Sequence, residues 1–393
     1  MFSEKVVKAL EGSSMIRKMF EEGNQLRAIY GADKVYDFSL GNPDMEPPAE
    51  VKQALRDIAQ SDERGMHRYM SNAGYEQTRE AISRLIAKDT KLDVPASNIV
   101  MTVGAAGGLN VALRSVLNPG EEVIVFAPCF MEYFAYVGNF GGVVKVVETD
   151  ETFHPDIKAF EDAISPKTKA VIINSPNNPT GVVYTEEELK EMNEVLLRKG
   201  DEYGTVIFPI SDEPYTRIVY DVKVPSNFDI FDNAICVNCF SKSLALPGER
   251  IGFVAASPKI KDVDILMDAL IYSNRTLGYV NAPAIAQRMI TAAIDASVDV
   301  DAYRRKRDKL YNILTNAGFE VKLPDGAFYF FMKSPVPDDN EFVEYAKKNY
   351  QIITVPGSGF MRSGYVRLSY CIADSIIENS EEAFMKLGKD YNR

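Results

Sequence analysis

The segment SKSLALPGERIGF, Ser241 to Phe253, places a lysine at the end of an apolar run, and Arg250 follows that lysine by eight residues. The side-chain amine of a lysine forms a Schiff base with an aldehyde, a role for which proteins have few substitutes. Taken alone, Lys242 is explained more simply as an exposed lysine after a strand. Its chemical interpretation therefore depends on the groups that accompany it.

Polar side chains follow several apolar runs that have the character of strands. Asn178 lies in NSPNNPTG after one run, Asp212 and Tyr215 lie in SDEPY at the end of another, and Lys242 follows a third. In an open α/β sheet, ligands bind outside the carboxyl ends of the strands, so these side chains are expected at one edge. Each also has a structural explanation, as a turn asparagine, a helix N-cap, a buried tyrosine or an exposed lysine. Four of them at one edge favour a site.

Further features are suited to binding anions or a planar ring. The glycine-rich turn from Gly104 to Gly108 opens a helix whose first amides can bind phosphate, and it lacks the Lys-Ser/Thr continuation of a nucleotide-binding P-loop. Arg250 is either a surface charge or a bidentate phosphate ligand. Arg367 lies in the apolar run YVRLSY, where a buried arginine needs an anion, either a substrate carboxylate or a structural partner. Phe130 either stacks on a cofactor ring or fills the core.

From about residue 100, short apolar runs alternate with longer helical stretches. The runs are rich in valine and isoleucine and apolar in both phases, as in parallel strands covered by helices on both faces. This pattern predicts an α/β large domain over residues 47–280, three-layered and doubly wound around a mainly parallel sheet. The predicted strands lie at 99–104, 122–128, 143–149, 169–176, 205–215, 233–242 and 252–257, and the predicted helices at 107–117, 131–139, 156–164 and 185–199.

Both ends of the chain have a different pattern. Residues 1–46 indicate a helix and an extended segment that ends in DFSLGNPD, and the C-terminal part begins with a long predicted helix over 281–316. Further strands are predicted near 326–332, 352–357 and 365–370, before a final helix. We expect residues 1–46 and 281–393 to form a smaller α+β domain together.

The composition is that of an ordinary globular enzyme. Of 393 residues, 46% are hydrophobic and 25% are charged, and 44 basic against 56 acidic side chains give a net charge of −12. This charge argues against a general nucleic-acid or membrane-surface role, which normally needs a basic patch, and no apolar run is long enough for a transmembrane helix. The N-terminus has no apolar signal core, and four cysteines without small-domain spacing are typical of a reducing compartment. We therefore expect a cytoplasmic protein.

Cys236 and Cys239 form a CxxC pattern within the strand-like run AICVNCF. Residues three apart in a strand point to opposite faces, and the two histidines, His67 and His154, are distant in sequence. Buried strand cysteines are therefore favoured over a metal or redox site, and no metal is expected.

At these residues the chain resembles the fold-type I, class I/II pyridoxal-phosphate aminotransferases, the aspartate aminotransferase family, from about Asp37 to Tyr370. The motifs concerned are NNPTG, D-x-x-Y, SK with an arginine eight residues on, and a late R-x-S. The resemblance implies pyridoxal 5′-phosphate as cofactor, with Lys242 as the Schiff-base lysine and proton shuttle and Asp212 as the partner of the ring nitrogen. The other implied cofactor contacts are Asn178 and Tyr215 at the phenolic oxygen, Ala105, Ala106 and Arg250 at the phosphate, and Phe130 on the ring face.

The resemblance also implies how substrates and a second subunit bind. Arg367 takes the α-carboxylate of an amino acid or a 2-oxo acid, with Asn178 and the early glycine Gly41 beside it. Tyr69, in HRYMSNAGY, corresponds to the tyrosine that reaches the phosphate in the partner subunit. A homodimer with shared active sites is the expected assembly.

Two positions depart from the family pattern. Three residues before the lysine, the family commonly has a phosphate-binding serine. Here Cys239, a weaker donor, stands at that position, and Ser241 or another group is the candidate replacement. Dicarboxylate-specific members carry an arginine three residues before a Tyr-Ser-Asn stretch, whereas Ala269 precedes Tyr272–Asn274 here and Arg275 only lies nearby. This position therefore argues against aspartate specificity, although other members of the family select acidic substrates by other means, and the preferred amino acid stays open.

The leading hypothesis is transfer of an amino group between an L-amino acid and a 2-oxo acid by a ping-pong Schiff-base mechanism. A carbon–sulfur β-lyase on the same scaffold would expel a β-substituent instead. A non-catalytic cofactor-binding regulator would need an attached DNA-binding module, and no basic helical segment precedes residue 37.

Overall fold

The computed structural model describes residues 2–11 and 15–391. The helices are α1 Glu4–Glu11, α2 Met15–Tyr30, α3 Ala49–Gln60, α4 Glu76–Ile86, α5 Gly104–Val116, α6 Glu132–Asn139, α7 Ile157–Ala163, α8 Glu186–Tyr203, α9 Asn227–Ile230, α10 Val263–Thr276, α11 Ala284–Ala292, α12 Val300–Asn316, α13 Asp339–Tyr350, α14 Asp374–Asn379 and α15 Glu381–Tyr391. The strands are β1 Tyr36–Asp37, β2 Ile99–Thr102, β3 Glu122–Ala127, β4 Val143–Glu148, β5 Thr168–Asn174, β6 Phe208–Asp212, β7 Ile235–Cys239, β8 Gly252–Ala256, β9 Tyr329–Lys333, β10 Ile352–Ile353, β11 Val355–Pro356 and β12 Tyr365–Ser369.

The larger sheet has the strand order β2-β8-β7-β6-β5-β3-β4. Strand β8 is antiparallel to both of its neighbours, and the remaining pairs are parallel. Two separate clusters of buried side chains cover the two faces of this sheet, as expected for strands that are apolar in both phases. The predicted α/β fold with a mainly parallel sheet is confirmed.

The register of this sheet brings the ends of three strands together. Asn174 at the end of β5 pairs with Asp212 at the end of β6, and Asp212 pairs with Val237 in β7. The polar residues that follow β5, β6 and β7 in the sequence therefore lie at one edge. This edge is where ligands bind in open α/β sheets.

Helix α8 is among the elements that the sequence predicts well. The Thr185 side chain accepts a hydrogen bond from the backbone N–H of Glu188, and the Glu188 carboxylate accepts one from the backbone N–H of Thr185. Gly204 ends the helix with a left-handed φ of 64°. The capping signal correctly predicts the start, but the helix runs to Tyr203 rather than to residue 199.

Segments from both ends of the chain meet outside the larger sheet. Strands β9, β11 and β12 form an antiparallel sheet in the order β11-β12-β9, and β1 pairs in parallel with β10. Phe38, just after β1, shares one buried cluster with residues of β9, β12 and α15. The site-forming segment after β1 is thereby attached to the strand that carries Arg367.

The single helix predicted over 281–316 is wrong. Two helices, α11 and α12, occupy this range, and Asp299 caps the second by accepting a hydrogen bond from the backbone of Ala302. Helix α11 packs against α3 and α4. The predicted domain boundary at residues 280 and 281 stays a prediction.

Other features of the described residues concern membranes, cysteines and metals. No helix in the described ranges is long and apolar enough to cross a membrane. The four cysteines are buried and free. Within residues 2–11 and 15–391, no group of three or more histidine, cysteine or carboxylate side chains is placed to hold a metal ion.

Candidate active site

A cavity of about 270 Å³ lies at the carboxyl ends of β5, β6 and β7. Tyr69 is not part of its wall and is 89% exposed on the surface. The predicted site residues that line the cavity are Gly41, Ala105, Ala106, Phe130, Asn178, Asp212, Tyr215, Ser241, Lys242, Arg250 and Arg367. The chain thus gathers these residues around one space, and their individual roles stay predictions.

Lys242 follows β7 and projects into this cavity. Its Nζ donates a hydrogen bond to the carbonyl oxygen of Gly41 at 2.6 Å and lies 5.4 Å from the centre of the Phe328 ring. Burial lowers the pKa of Lys242 below its ordinary value because the charged form loses hydration. A larger fraction of the amine is therefore neutral and nucleophilic than for an exposed lysine.

Asp212 is the last residue of β6 and is only 6% exposed. One carboxylate oxygen, Oδ2, accepts a hydrogen bond from the Tyr133 hydroxyl at 2.6 Å. The other, Oδ1, is buried and has no hydrogen-bond partner. Burial raises the pKa of Asp212 to about 7, against the opposing effect of the Tyr133 hydrogen bond. An unpartnered buried acceptor is costly, so Oδ1 is suited to a donor that enters the cavity.

A tyrosine pair and an asparagine lie on the other side of the cavity. The hydroxyls of Tyr215 and Tyr329 are 3.0 Å apart and hydrogen-bonded. The backbone of Asn178 donates to the Asn174 side chain at 2.8 Å, and Asn174 donates in turn to the carbonyl oxygen of Asp212 at 2.9 Å. This network connects the ends of β5 and β6 and fixes the loop that carries Asn178.

Arg367 in β12 is 1% exposed. Its guanidinium donates to Asn178 Oδ1 at 3.0 Å and to the carbonyl oxygen of Ser39 at 2.5 Å, and it lies between the rings of Tyr329 and Phe360 at 4.6 and 4.8 Å. Its Nε has no partner, and no carboxylate of the described residues pairs with it. Burial lowers the pKa of Arg367. A buried guanidinium in this state is suited to an anion from outside the chain.

The glycine Gly41 allows close approach at the same end of the cavity. A Cβ atom at this position would overlap the hydroxyl of Tyr329. Any side chain would therefore disturb the tyrosine pair and the carbonyl oxygen that accepts from Lys242.

The opposite end of the cavity is suited to an anion. Helix α5 begins at Gly104 with φ 76°, and its N-terminus has no side-chain cap, so its first amides, including those of Ala105 and Ala106, are available to a ligand. A Cβ at Gly104 would come within 2.6 Å of Arg250 Nη2, so the arginine lies against this turn. Arg250 has a left-handed φ of 50° and donates to the carbonyl oxygen of Pro247 at 2.7 Å.

Sequence reasoning missed three tyrosines of the cavity wall, Tyr133, Tyr136 and Tyr329. Tyr133 lies at the start of α6, in direct contact with Asp212. Tyr329 begins β9, which the sequence predicts only as a strand of the smaller domain. Nothing local distinguishes any of the three from a core tyrosine.

Comparison with known proteins now places the chain in a family. Residues 33–384 match the family described as Aminotransferase class I and II. The chain belongs to this family. As a fold-type I member, it is a transaminase that transfers an amino group between an L-amino acid and a 2-oxo acid in a pyridoxal-phosphate-dependent reaction.

Relatives and solved structures agree with this assignment. A probable aspartate aminotransferase from Methanocaldococcus jannaschii is 33% identical, over 88% of this chain and 91% of that protein. Aromatic-amino-acid aminotransferase 2 from Thermococcus litoralis is 30% identical, over 96% of each chain. The crystal structure of an aminotransferase from Eubacterium rectale is 40% identical, covers 100% of both chains and has a TM-score of 0.96. The names of the relatives include both acidic and aromatic substrates.

Proposed function

We propose that the cavity binds pyridoxal 5′-phosphate with Lys242 as its covalent attachment and Asp212 as its charge partner. The observation on which this rests is Asp212 Oδ1, a buried carboxylate oxygen without a hydrogen-bond partner that lines the same cavity as Lys242. A protonated ring nitrogen supplies the missing donor and positive charge, so the residues present fit the cofactor. Pyridoxal phosphate supplies an aldehyde carbon and an electron sink when bound.

The two ends of the cavity are assigned by their charges. The amides of Ala105 and Ala106 at the start of α5, together with Arg250 and Ser241, are proposed to hold the phosphate, because a helix N-terminus and an arginine both favour anions. Phe130 lines the same wall and is proposed to cover one face of the ring.

Arg367 is proposed to bind the α-carboxylate of the substrate. Its buried guanidinium has no carboxylate partner among the described residues, and Asn178 and the Gly41 segment adjoin it. This places the substrate Cα between Arg367 and Lys242.

Lys242 is proposed to accept the proton that leaves the substrate Cα and to pass it to the cofactor. Because burial lowers its pKa, a larger fraction of the amine is unprotonated and free to accept a proton than for an exposed lysine. Tyr215 and Asn178 are proposed to form hydrogen bonds with the cofactor's phenolic oxygen. The hydrogen bond between the hydroxyls of Tyr215 and Tyr329 holds the Tyr215 hydroxyl in place.

The assembly is proposed to be a homodimer in the cytoplasm. Support comes from Tyr69, which is exposed rather than in the cavity of its own chain, as expected for a residue that reaches the phosphate of a second subunit. Sedimentation of the purified protein tests the dimer. Mixing a Tyr69→Phe subunit with a Lys242→Ala subunit tests shared sites, because recovered activity would require exchange of residues between subunits.

The central experiment is borohydride reduction of the protein loaded with pyridoxal phosphate, followed by peptide mass spectrometry. Lys242 is the residue expected to carry the reduced cofactor, and amino donors followed by 2-oxo acids should change and restore the cofactor absorption. Lys309→Ala is the control, because Lys309 forms an ion pair with Glu378 on the outer surface. A label on another lysine, or full turnover by Lys242→Ala, would refute the proposal.

A further inference from the structure

The charged side chains of the cavity wall form a small and specific set. Among the described residues that line the cavity, they are Asp212, Lys242, Arg250 and Arg367. Under the proposed function, Arg250 is matched by the phosphate, Arg367 by the α-carboxylate and Lys242 by the aldehyde carbon. Within one subunit, no cation of this wall is left for a second carboxylate.

A second carboxylate in this space would be costly. An ionised group that leaves water without a partner loses its hydration without compensation, and the protein's net charge of −12 adds repulsion. The electrostatics of the site thus disfavour donors with acidic side chains.

The rest of the wall favours the opposite kind of side chain. Apolar atoms make up most of its surface, with contributions from Leu40, Leu109, Tyr136 and Tyr329. Leu40 directly precedes Gly41, whose carbonyl oxygen accepts from Lys242. An apolar or aromatic substrate side chain would bury its surface against such groups, and the removal of that surface from water favours binding.

Arg275 is the nearby arginine that sequence comparison singles out, and it lies outside the cavity wall. It is exposed near the end of α10, and its guanidinium stacks over the ring of Tyr272 at 5.6 Å. Ala269, at the position where dicarboxylate-specific members carry arginine, offers no charge.

We infer that this aminotransferase prefers amino donors with uncharged, apolar or aromatic side chains over aspartate and glutamate. The inference rests on the proposed function, because it takes Arg250 and Arg367 as already matched by the cofactor and the α-carboxylate. It deepens that function, since the names of the relatives include both substrate classes.

The test is the ratio of kcat/KM values for the cofactor-loaded protein with phenylalanine, leucine, methionine, aspartate and glutamate as donors. The best neutral donor is expected to exceed aspartate at least ~10-fold, a difference within the range that pocket contacts supply. Aspartate or glutamate as the best donor would overturn the inference.

A binding measurement gives a second readout without turnover. Calorimetry on the cofactor-loaded protein should show 3-phenylpropanoate, a monocarboxylate, binding more tightly than maleate, a dicarboxylate. Tighter binding of maleate would contradict the inference while leaving the proposed function intact. Absence of cofactor attachment to Lys242, by contrast, would refute the proposed function itself.

The variant Arg275→Ala tests the remaining route to a dicarboxylate site. Arg275 is exposed, so its removal should leave folding, the donor ranking and maleate affinity unchanged. A ~10-fold loss of kcat/KM for aspartate alone would show that Arg275 supplies a cation to an active site, and the inference would fail.

Discussion

Two buried arginines of this molecule have opposite surroundings. Arg307 in α12 is 6% exposed, and its guanidinium pairs with Asp308 at 2.8 Å and Asp221 at 3.5 Å and stacks on Tyr220. Arg367 in β12 is 1% exposed and has no carboxylate partner among the described residues. An arginine buried for structure is neutralised within the chain, whereas one without a partner costs stability that binding of an anion can recover.

The same contrast separates two neighbouring carboxylates. Glu213 accepts a hydrogen bond from Asn227 at 2.9 Å and lines a different cavity from the one that Asp212 faces. Asp212 keeps one oxygen without a partner. Burial raises the pKa of both groups. Unmatched buried charge, rather than burial alone, therefore distinguishes the candidate site from the rest of the interior.

The largest effect is expected from Asp212→Asn compared with Glu213→Gln. Loss of the carboxylate opposite a protonated ring nitrogen removes one member of a buried charge pair, which costs about 3–5 kcal/mol. Transamination should slow by roughly 10²–10⁴-fold, whereas Glu213→Gln should change it by no more than about 5-fold. Single-turnover kinetics measure both, and equal losses would remove the distinction between the two carboxylates.

The two arginines are compared by Arg367→Met and Arg307→Met. The first should raise KM for donors and 2-oxo acids by roughly 30-fold or more, because the α-carboxylate loses a buried partner. It should leave the free energy of unfolding unchanged or higher, since an uncompensated charge is removed.

The second variant should have the reverse profile. Without Arg307, Asp308 loses its ion-pair partner, Asp221 keeps only its pair with Arg304, and the contact with the Tyr220 ring is lost. The free energy of unfolding should therefore fall by about 1–3 kcal/mol with KM unchanged. Urea unfolding and steady-state kinetics measure the two properties. A stability loss in Arg367→Met as large as that in Arg307→Met would show that both arginines are structural.

Much of this arrangement follows from sequence patterns, because strand ends are visible in them. Asn178, Asp212 and Lys242 follow apolar runs of a parallel sheet, and the carboxyl ends of such strands meet at one edge. Tyr133 and Tyr329 were missed because they reach the cavity from a helix start and from another sheet, through long-range packing that no local pattern encodes. The break between α11 and α12 was missed although Asp299 is a helix N-cap signal.

The pH dependence of stability should separate Asp212 from ordinary carboxylates. Burial raises its pKa to about 7 in the folded, cofactor-free protein, so the fold favours the protonated form. Its stabilising contribution is complete below the unfolded pKa near 4 and is lost as the pH rises through 7. The free energy of unfolding of the wild type, measured relative to that of Asp212→Asn, should fall by roughly 2–3 kcal/mol between pH 5 and pH 8.

The control for this measurement is a carboxylate with an ordinary environment. Asp232 pairs with Lys259 at the surface, and Asp232→Asn should follow the wild-type pH dependence. A constant difference between the wild type and Asp212→Asn over this pH range would show that Asp212 is ionised throughout.

The smallest effect is expected from Tyr133→Phe, which removes the hydroxyl that donates to Asp212 Oδ2 at 2.6 Å. A hydrogen bond to a charged group contributes about 1.5–3 kcal/mol, and its loss leaves a second oxygen of Asp212 without a partner. That bond lowers the pKa of Asp212, so the variant should hold the carboxyl protonated to higher pH and bind pyridoxal phosphate roughly 10-fold more weakly. Fluorescence titration measures the affinity.

The matched control is Tyr303→Phe, because the buried Tyr303 hydroxyl has no hydrogen-bond partner and its removal should leave cofactor affinity unchanged. If both variants bind the cofactor like the wild type, Tyr133 only fills space beside Asp212, and the contrast between matched and unmatched buried charge loses one of its supports.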